Sequence, residues 1–216
     1  MSASTLSPVE VARRRIRGEY LIDEWGYDAD LVDLLDPILS LRWHVEVVAE
    51  ELLPAAGPAV LVVNRRFGVS EPFVLARGVR RATGRRVRFL GIPDVAPLGP
   101  FLRRVGGAVA RPDELASLLR AGHLCVLPLR RDLMQRRVAG ALAPEALGPA
   151  LELGVPVIPV ALVGRELVGR WQVLVGEPLP PPPGPGPLAL AELAEAAHDS
   201  VQGLLDEAFP PRWWLG

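Results

Sequence analysis

AVLVVNRRFGVSEP, residues Ala59 to Pro72, decides how the rest of this chain is read. Ala59–Val63 is a short, continuously apolar run. Strands buried on both faces of a parallel sheet have that character. Asn64, Arg65 and Arg66 then leave the strand. Phe67 and Gly68 make a bend, and Ser70-Glu71-Pro72 opens a helix. In an open α/β sheet, ligands bind outside the carboxyl ends of the strands. A turn placed there with two arginines, a hydroxyl and a carboxylate is the candidate site.

Downstream, the pattern of strand and helix repeats. The sequence predicts helix Glu71–Thr83, strand Arg88–Ile92, a short helix around Pro100–Val105, a short strand near Ala108, helix Pro112–Arg120 and strand Leu124–Leu127. A long loop, helix Glu145–Leu153 and strand Val157–Val163 follow, with Trp171–Val175 expected at a sheet edge. Such alternation argues for an α/β fold with a largely parallel central sheet flanked by helices. Pro178–Pro187 reads as an extended linker. It leads to a C-terminal helix, Leu188–Ala208, with an apolar stripe and with His198 on the opposite, exposed face.

Upstream, Pro8–Glu24 reads as a basic amphipathic helix with Arg13, Arg14, Arg15 and Arg17 in its middle. Such a helix can lie on anionic lipid or can simply be solvated and paired. A second helix starts after Asp28 with Leu31, Leu34, Leu35 and Ile38 on one stripe, and Pro37 is expected to kink or end it. A strand, Trp43–Ala49, carries His44. Residues 1–50 are thus an N-terminal helical segment with a lead-in strand, and 51–216 an α/β domain, together one compact unit.

The bulk composition narrows the classes. Half of the 216 residues are hydrophobic and 23% are charged, so the chain is globular. A net charge of -1 gives no general attraction to nucleic acid. Every positive side chain is arginine, as coding bias produces, so arginine number alone says little. The single cysteine, Cys125, lies in an apolar strand and reads as buried. No apolar run approaches the ~18–20 residues that span a bilayer, and the N-terminus lacks the apolar core of a signal peptide. The expectation is a cytoplasmic protein, with peripheral membrane contact open through the basic helix and the tail pair Trp213 and Trp214. No metal or cofactor is expected.

Taken together, these segments resemble the glycerolipid acyltransferase family, the bacterial lysophospholipid and glycerol-3-phosphate acyltransferases. The resemblance rests on Glu24–Ile38, Ala59–Asn64, Arg80–Gly91, Leu102–Glu114, Leu118–Pro128 and Glu152–Gly164, in that order. It implies transfer of an acyl chain from a thioester to a hydroxyl. The family's motif is His-x4-Asp directly after the strand, with histidine as base and aspartate orienting it. Here the motif is degenerate. In one register its positions hold Arg65 and Ser70, in the other Arg66 and Glu71. Arginine does not deprotonate in proteins and cannot be that base. After Pro128, where the family needs small residues beside a phosphate, Leu129-Arg130-Arg131-Asp132 stands instead.

The resemblance therefore implies an acyltransferase-like protein without its catalytic pair. Such a pseudoenzyme would bind a lipid, an acyl-CoA or acyl-carrier thioester, or a protein partner. Arg65, Arg66, Arg111, Arg130 and Arg131 are its candidate anion-binding residues. An active transferase with Glu71 as replacement base is the alternative, disfavoured because adjacent arginines weaken a carboxylate as a base. A scaffold for a true acyltransferase, with a collapsed cleft, is the third reading.

Overall fold

The computed structural model describes residues 8–65, 70–93, 95–96, 98–130, 138–164 and 169–209. The strands are β1 (Trp43–Val48), β2 (Ala59–Val63), β3 (Val87–Leu90), β4 (Gly107–Ala108), β5 (Leu124–Pro128), β6 (Val157–Gly164) and β7 (Gly169–Val175). They form one seven-stranded sheet in the order β1-β7-β6-β2-β5-β3-β4. All adjacent pairs are parallel except β6 and β7. The helices are α1 (Pro8–Ile16), α2 (Ala29–Arg42), α3 (Ser70–Thr83), α4 (Leu98–Arg104), α5 (Pro112–Arg120), α6 (Gly148–Glu152) and α7 (Pro187–Ala208).

β2 occupies the middle of the sheet, and all of its residues are buried. Successive strand residues face opposite sides. Val60 and Val62 therefore pack with Leu118, Leu147, Ala150, Ala197 and Val201 beneath α5, α6 and α7. Ala59, Leu61 and Val63 pack with Val74, Leu75 and Val79 of α3 on the other face. Each fully buried Val or Leu contributes about 1.5–3 kcal/mol relative to exposure, so an all-apolar strand belongs in this central slot. After β2 the chain crosses over one face through α3 to β3. After β5 it crosses over the other face through α6 to β6. The two crossovers diverge at the carboxyl ends of β2 and β5, which makes a crevice there.

Several expectations change. The first helix ends at Ile16, not Glu24, because Gly18 adopts φ 75 and turns the chain out of the helix. Pro37 does not end the second helix, which runs on to Arg42. The strand around Trp171 is not at an edge. β7 lies between β1 and β6, and β1 is the edge. The predicted helix Glu145–Leu153 is a 3₁₀ turn, Pro144–Leu147, followed by α6. His198 is half-buried, not exposed. Its Nδ1–H donates to the Gly140 carbonyl at 2.6 Å and helps dock residues 138–142 on α7.

Candidate active-site cleft and its cavity

Asn64 fixes the end of β2. Its side chain is 4% exposed and acts as an extra peptide group toward β6. The Leu162 N–H donates to Oδ1 at 2.6 Å, and Nδ2–H donates to the Leu162 carbonyl at 3.1 Å. On the other side, the Val63 carbonyl accepts the Leu129 N–H at 2.8 Å. The sheet is therefore closed on both flanks where the polar turn departs. Buried polar backbone needs such partners, and an amide can supply both a donor and an acceptor. Ser70 and Glu71, both buried, open α3 on the far side of the turn. A carboxylate at that position sits at the positive end of the helix dipole.

Asn64, Arg65 and Glu71 lie at one part of a cavity of about 450 Å³. Its walls are mostly apolar: Val63, Leu75, Ala76, Phe89, Leu98, Leu102 and Val126. α2 supplies Val32, Leu35 and Asp36 to the outer wall, and Tyr27 lines it too. Residues 31–36 of α2 are all only half-buried. This helix is tied to the body by charge. Asp36 accepts from Arg77 Nη1 at 2.7 Å, Asp33 accepts from Arg80 Nη1 at 2.5 Å, and Asp33 lies 3.7 Å from Arg86 Nη2. Arg77, Arg80 and Arg86 all line the cavity.

The predicted site residues are thus only partly brought together. Arg65 and Glu71 line the cavity at the end of β2, and Ser70, which opens α3, does not. Arg111 is exposed at the start of α5 and does not line the cavity. Arg130 is exposed and borders a separate cleft with Gly140 and His198. Arg66, Arg131, Trp213 and Trp214 lie outside the described residues. Sequence reading missed Arg77, Arg80 and Arg86 altogether. The available signal was the helical spacing of Phe73, Ala76, Arg77 and Arg80, which share one face of α3.

None of the chain's three histidines lines the cavity. His44 is exposed on the edge strand β1, and His198 is on α7. His123 precedes β5, at the opposite end of the sheet, and packs edge-on against Trp25 at 4.9 Å. Burial holds the His123 imidazole below its ordinary pKa, with the Arg88 charge adding to the effect. Cys125 is buried, and that burial pushes its thiol up to about 12, so it is not a nucleophile at neutral pH.

A second electrostatic feature sits beside His123. Arg88 on β3 is 4% exposed. It pairs with Asp23, and its guanidinium lies 4.7 Å from the Tyr27 ring centre and 5.9 Å from that of Trp25. Burial alone would raise the Asp23 carboxyl. The Tyr27 N–H, the Arg88 hydrogen bond and charge, and the Trp25 N–H outweigh that, and its pKa is lowered. This cluster straps the segment before α2 to the sheet and so positions Tyr27 in the cavity wall.

The sheet, its flanking helices and the crevice beyond β2 define an acyltransferase-like α/β fold. Among solved structures, the chain is similar to the 1-acyl-sn-glycerophosphate (LPA) acyltransferase PlsC from Thermotoga maritima. The TM-score is 0.61 at 17% identity, over 93% of this chain and 88% of that one. That likeness carries the fold. No family model matches the chain. In sequence it is similar to an uncharacterised protein of Mycobacterium leprae, 29% identical over 174 residues, covering 71% of this chain and 47% of that protein. An uncharacterised protein of Mycobacterium tuberculosis is 28% identical over 174 residues, covering 71% and 48%. The chain spans about half the length of these relatives. Among the described residues, no helix is long and apolar enough to cross a membrane.

Proposed function

We propose that this protein is a non-catalytic homologue of the glycerolipid acyltransferases that holds the acyl chain of a lipid or acyl thioester. The observation that carries this reading is an apolar cavity at the end of β2 that no histidine lines. A general base must reach the proton it takes, directly or through one water. His44, His123 and His198 all lie elsewhere. Arg65 cannot act as a base. Glu71 is buried in the first turn of α3 and shares the cavity wall with the Arg65 guanidinium. The open apolar cavity beside Arg65 also speaks against a collapsed, purely structural cleft.

The test pairs transfer with binding. Purified protein should move no acyl chain from acyl-CoA to lysophospholipid or glycerol-3-phosphate. Mass spectrometry should find lipid or acyl species co-purifying with it. Ala76→Trp, which fills the cavity from α3, should release them. Transfer that survives extensive purification and disappears in Glu71→Ala would overturn the proposal in favour of a glutamate-based enzyme.

A further inference from the structure

The two edges of the sheet differ. β4 offers only Gly107–Ala108, whereas β1 offers Trp43–Val48. An edge strand presents backbone N–H and C=O groups that no neighbouring strand takes up, and so can template another chain. At Val45 a side chain stands in for that neighbour. Arg81, exposed on α3, donates from Nη1 to the Val45 carbonyl at 3.3 Å. We propose that β1 pairs antiparallel with β1 of a second copy of this chain, about a two-fold axis at Val45, joining their sheets edge to edge.

Charge selects the occupant. Along this edge the start of the strand is basic and its end acidic. Arg42, His44 and the neighbouring Arg170 of β7 lie at one end, and Glu46, Glu50 and Glu51 at the other, all of them exposed. A parallel neighbour of the same sequence would set like against like. A two-fold axis reverses one strand and brings each basic end against an acidic one. That self-complementarity is what an isologous interface requires.

The side-chain alternation of β1 then fixes the register. Trp43, Val45 and Val47 face α3, with Val45 and Val47 against Gly78. His44, Glu46 and Val48 face the other way and are exposed, because α7 packs further in, on β6 and β2. Directly opposed residues of an antiparallel pair share a face. Centred on Val45, the axis sets His44 opposite Glu46 of the second copy, and does so twice. It also sets Trp43 opposite Val47 on the α3 side. Centring on Glu46 would oppose two carboxylates, which is destabilising, and centring on His44 would give up both His–Glu pairs. Glu46 accepts from Gln172 Nε2 at 3.2 Å, and a carboxylate has room for a further donor. The seam is one strand wide, so the dimer belongs to the weak, transient class.

A charge swap tests the register. Sedimentation of the full chain, over a concentration series reaching the millimolar range, should show a monomer–dimer equilibrium at low salt. His44→Glu sets glutamate against Glu46, and Glu46→Arg sets arginine against His44. Each change acts at both symmetric positions and should raise the dimer Kd by about tenfold. The double variant His44→Glu, Glu46→Arg restores opposite charges and should return the Kd to near the wild-type value, a recovery that misfolding cannot imitate. Wild-type protein that stays monomeric throughout the series would overturn the proposal. A dimer indifferent to both single changes would overturn it too, because the copies would then meet elsewhere. Single variants that weaken the dimer with no recovery in the double variant would refute the Val45-centred pairing.

Discussion

Asn64→Ala is the sharpest probe of how this site is built. Asn64 is 4% exposed, and its side-chain amide satisfies both the N–H and the C=O of Leu162, itself 2% exposed. Alanine would leave both backbone groups without that partner, in a place with little access to water. Each orphaned buried group costs about 1–3 kcal/mol, so the pair gives roughly 2–6 kcal/mol. Taking about 3 kcal/mol as a working value, a chain of this size should lose roughly 6–12 °C in Tm. Urea unfolding followed by circular dichroism reads the free energy directly. Asn64→Asp separates the two bonds. It keeps an acceptor for the Leu162 N–H but sets a charged oxygen against the Leu162 carbonyl. Its carboxyl should therefore be raised in the folded state, and the variant should regain stability as the pH falls, when the protonated acid can donate to that carbonyl. A loss within about 0.5 kcal/mol for alanine, the range of ordinary surface changes, together with a pH-independent aspartate variant, would refute the account.

Three further outcomes are expected. The Asp23 carboxyl has a lowered pKa in the folded state, so its contribution is present above the ordinary value near 3.8 and fades as the pH falls through the lower folded value. Acid titration of stability should show that loss in wild-type protein and not in Asp23→Asn. Its removal should cost less than the ~3–5 kcal/mol of a fully buried pair, because Asp23 is partly solvated. NMR titration should show His123 gaining its proton below 6.5, the ordinary value. Stability from this neutral imidazole is full above that value and declines as the pH drops toward the lower folded one, a decline that His123→Gln should abolish. Gly164→Ala should destabilise the β6–β7 pair by about 1–3 kcal/mol, the cost of overpacking, since a Cβ there would run into the Trp171 ring. Unchanged thermal unfolding of that variant would contradict the packing.

Much of the fold was legible because its signals are local. The apolar run Ala59–Val63 announced a strand buried on both faces, and it is the central one. Pro112–Arg120 opens on a proline suited to the first helical turn, and α5 spans those residues. The differences also have local causes. The left-handed backbone of Gly18 ends the first helix before Glu24. Pro37 does not end the second, which ion pairs to Arg77, Arg80 and Arg86 anchor.

The sequence by itself determined the class of fold, the polar turn after Val63 and the absence of histidine from that turn. Strand periodicity, turn chemistry and side-chain acidity are properties of neighbouring residues. The tertiary structure alone decided which arginines line the cavity. Arg111 and Arg130 stand away from the cavity, whereas Arg77, Arg80 and Arg86 line it opposite the acids of α2. It also decided what Asn64 does, because its partner Leu162 is distant in sequence and becomes a neighbour only when β6 pairs with β2. A contact of that kind depends on strand order and register, and neither is written in any single segment of the chain.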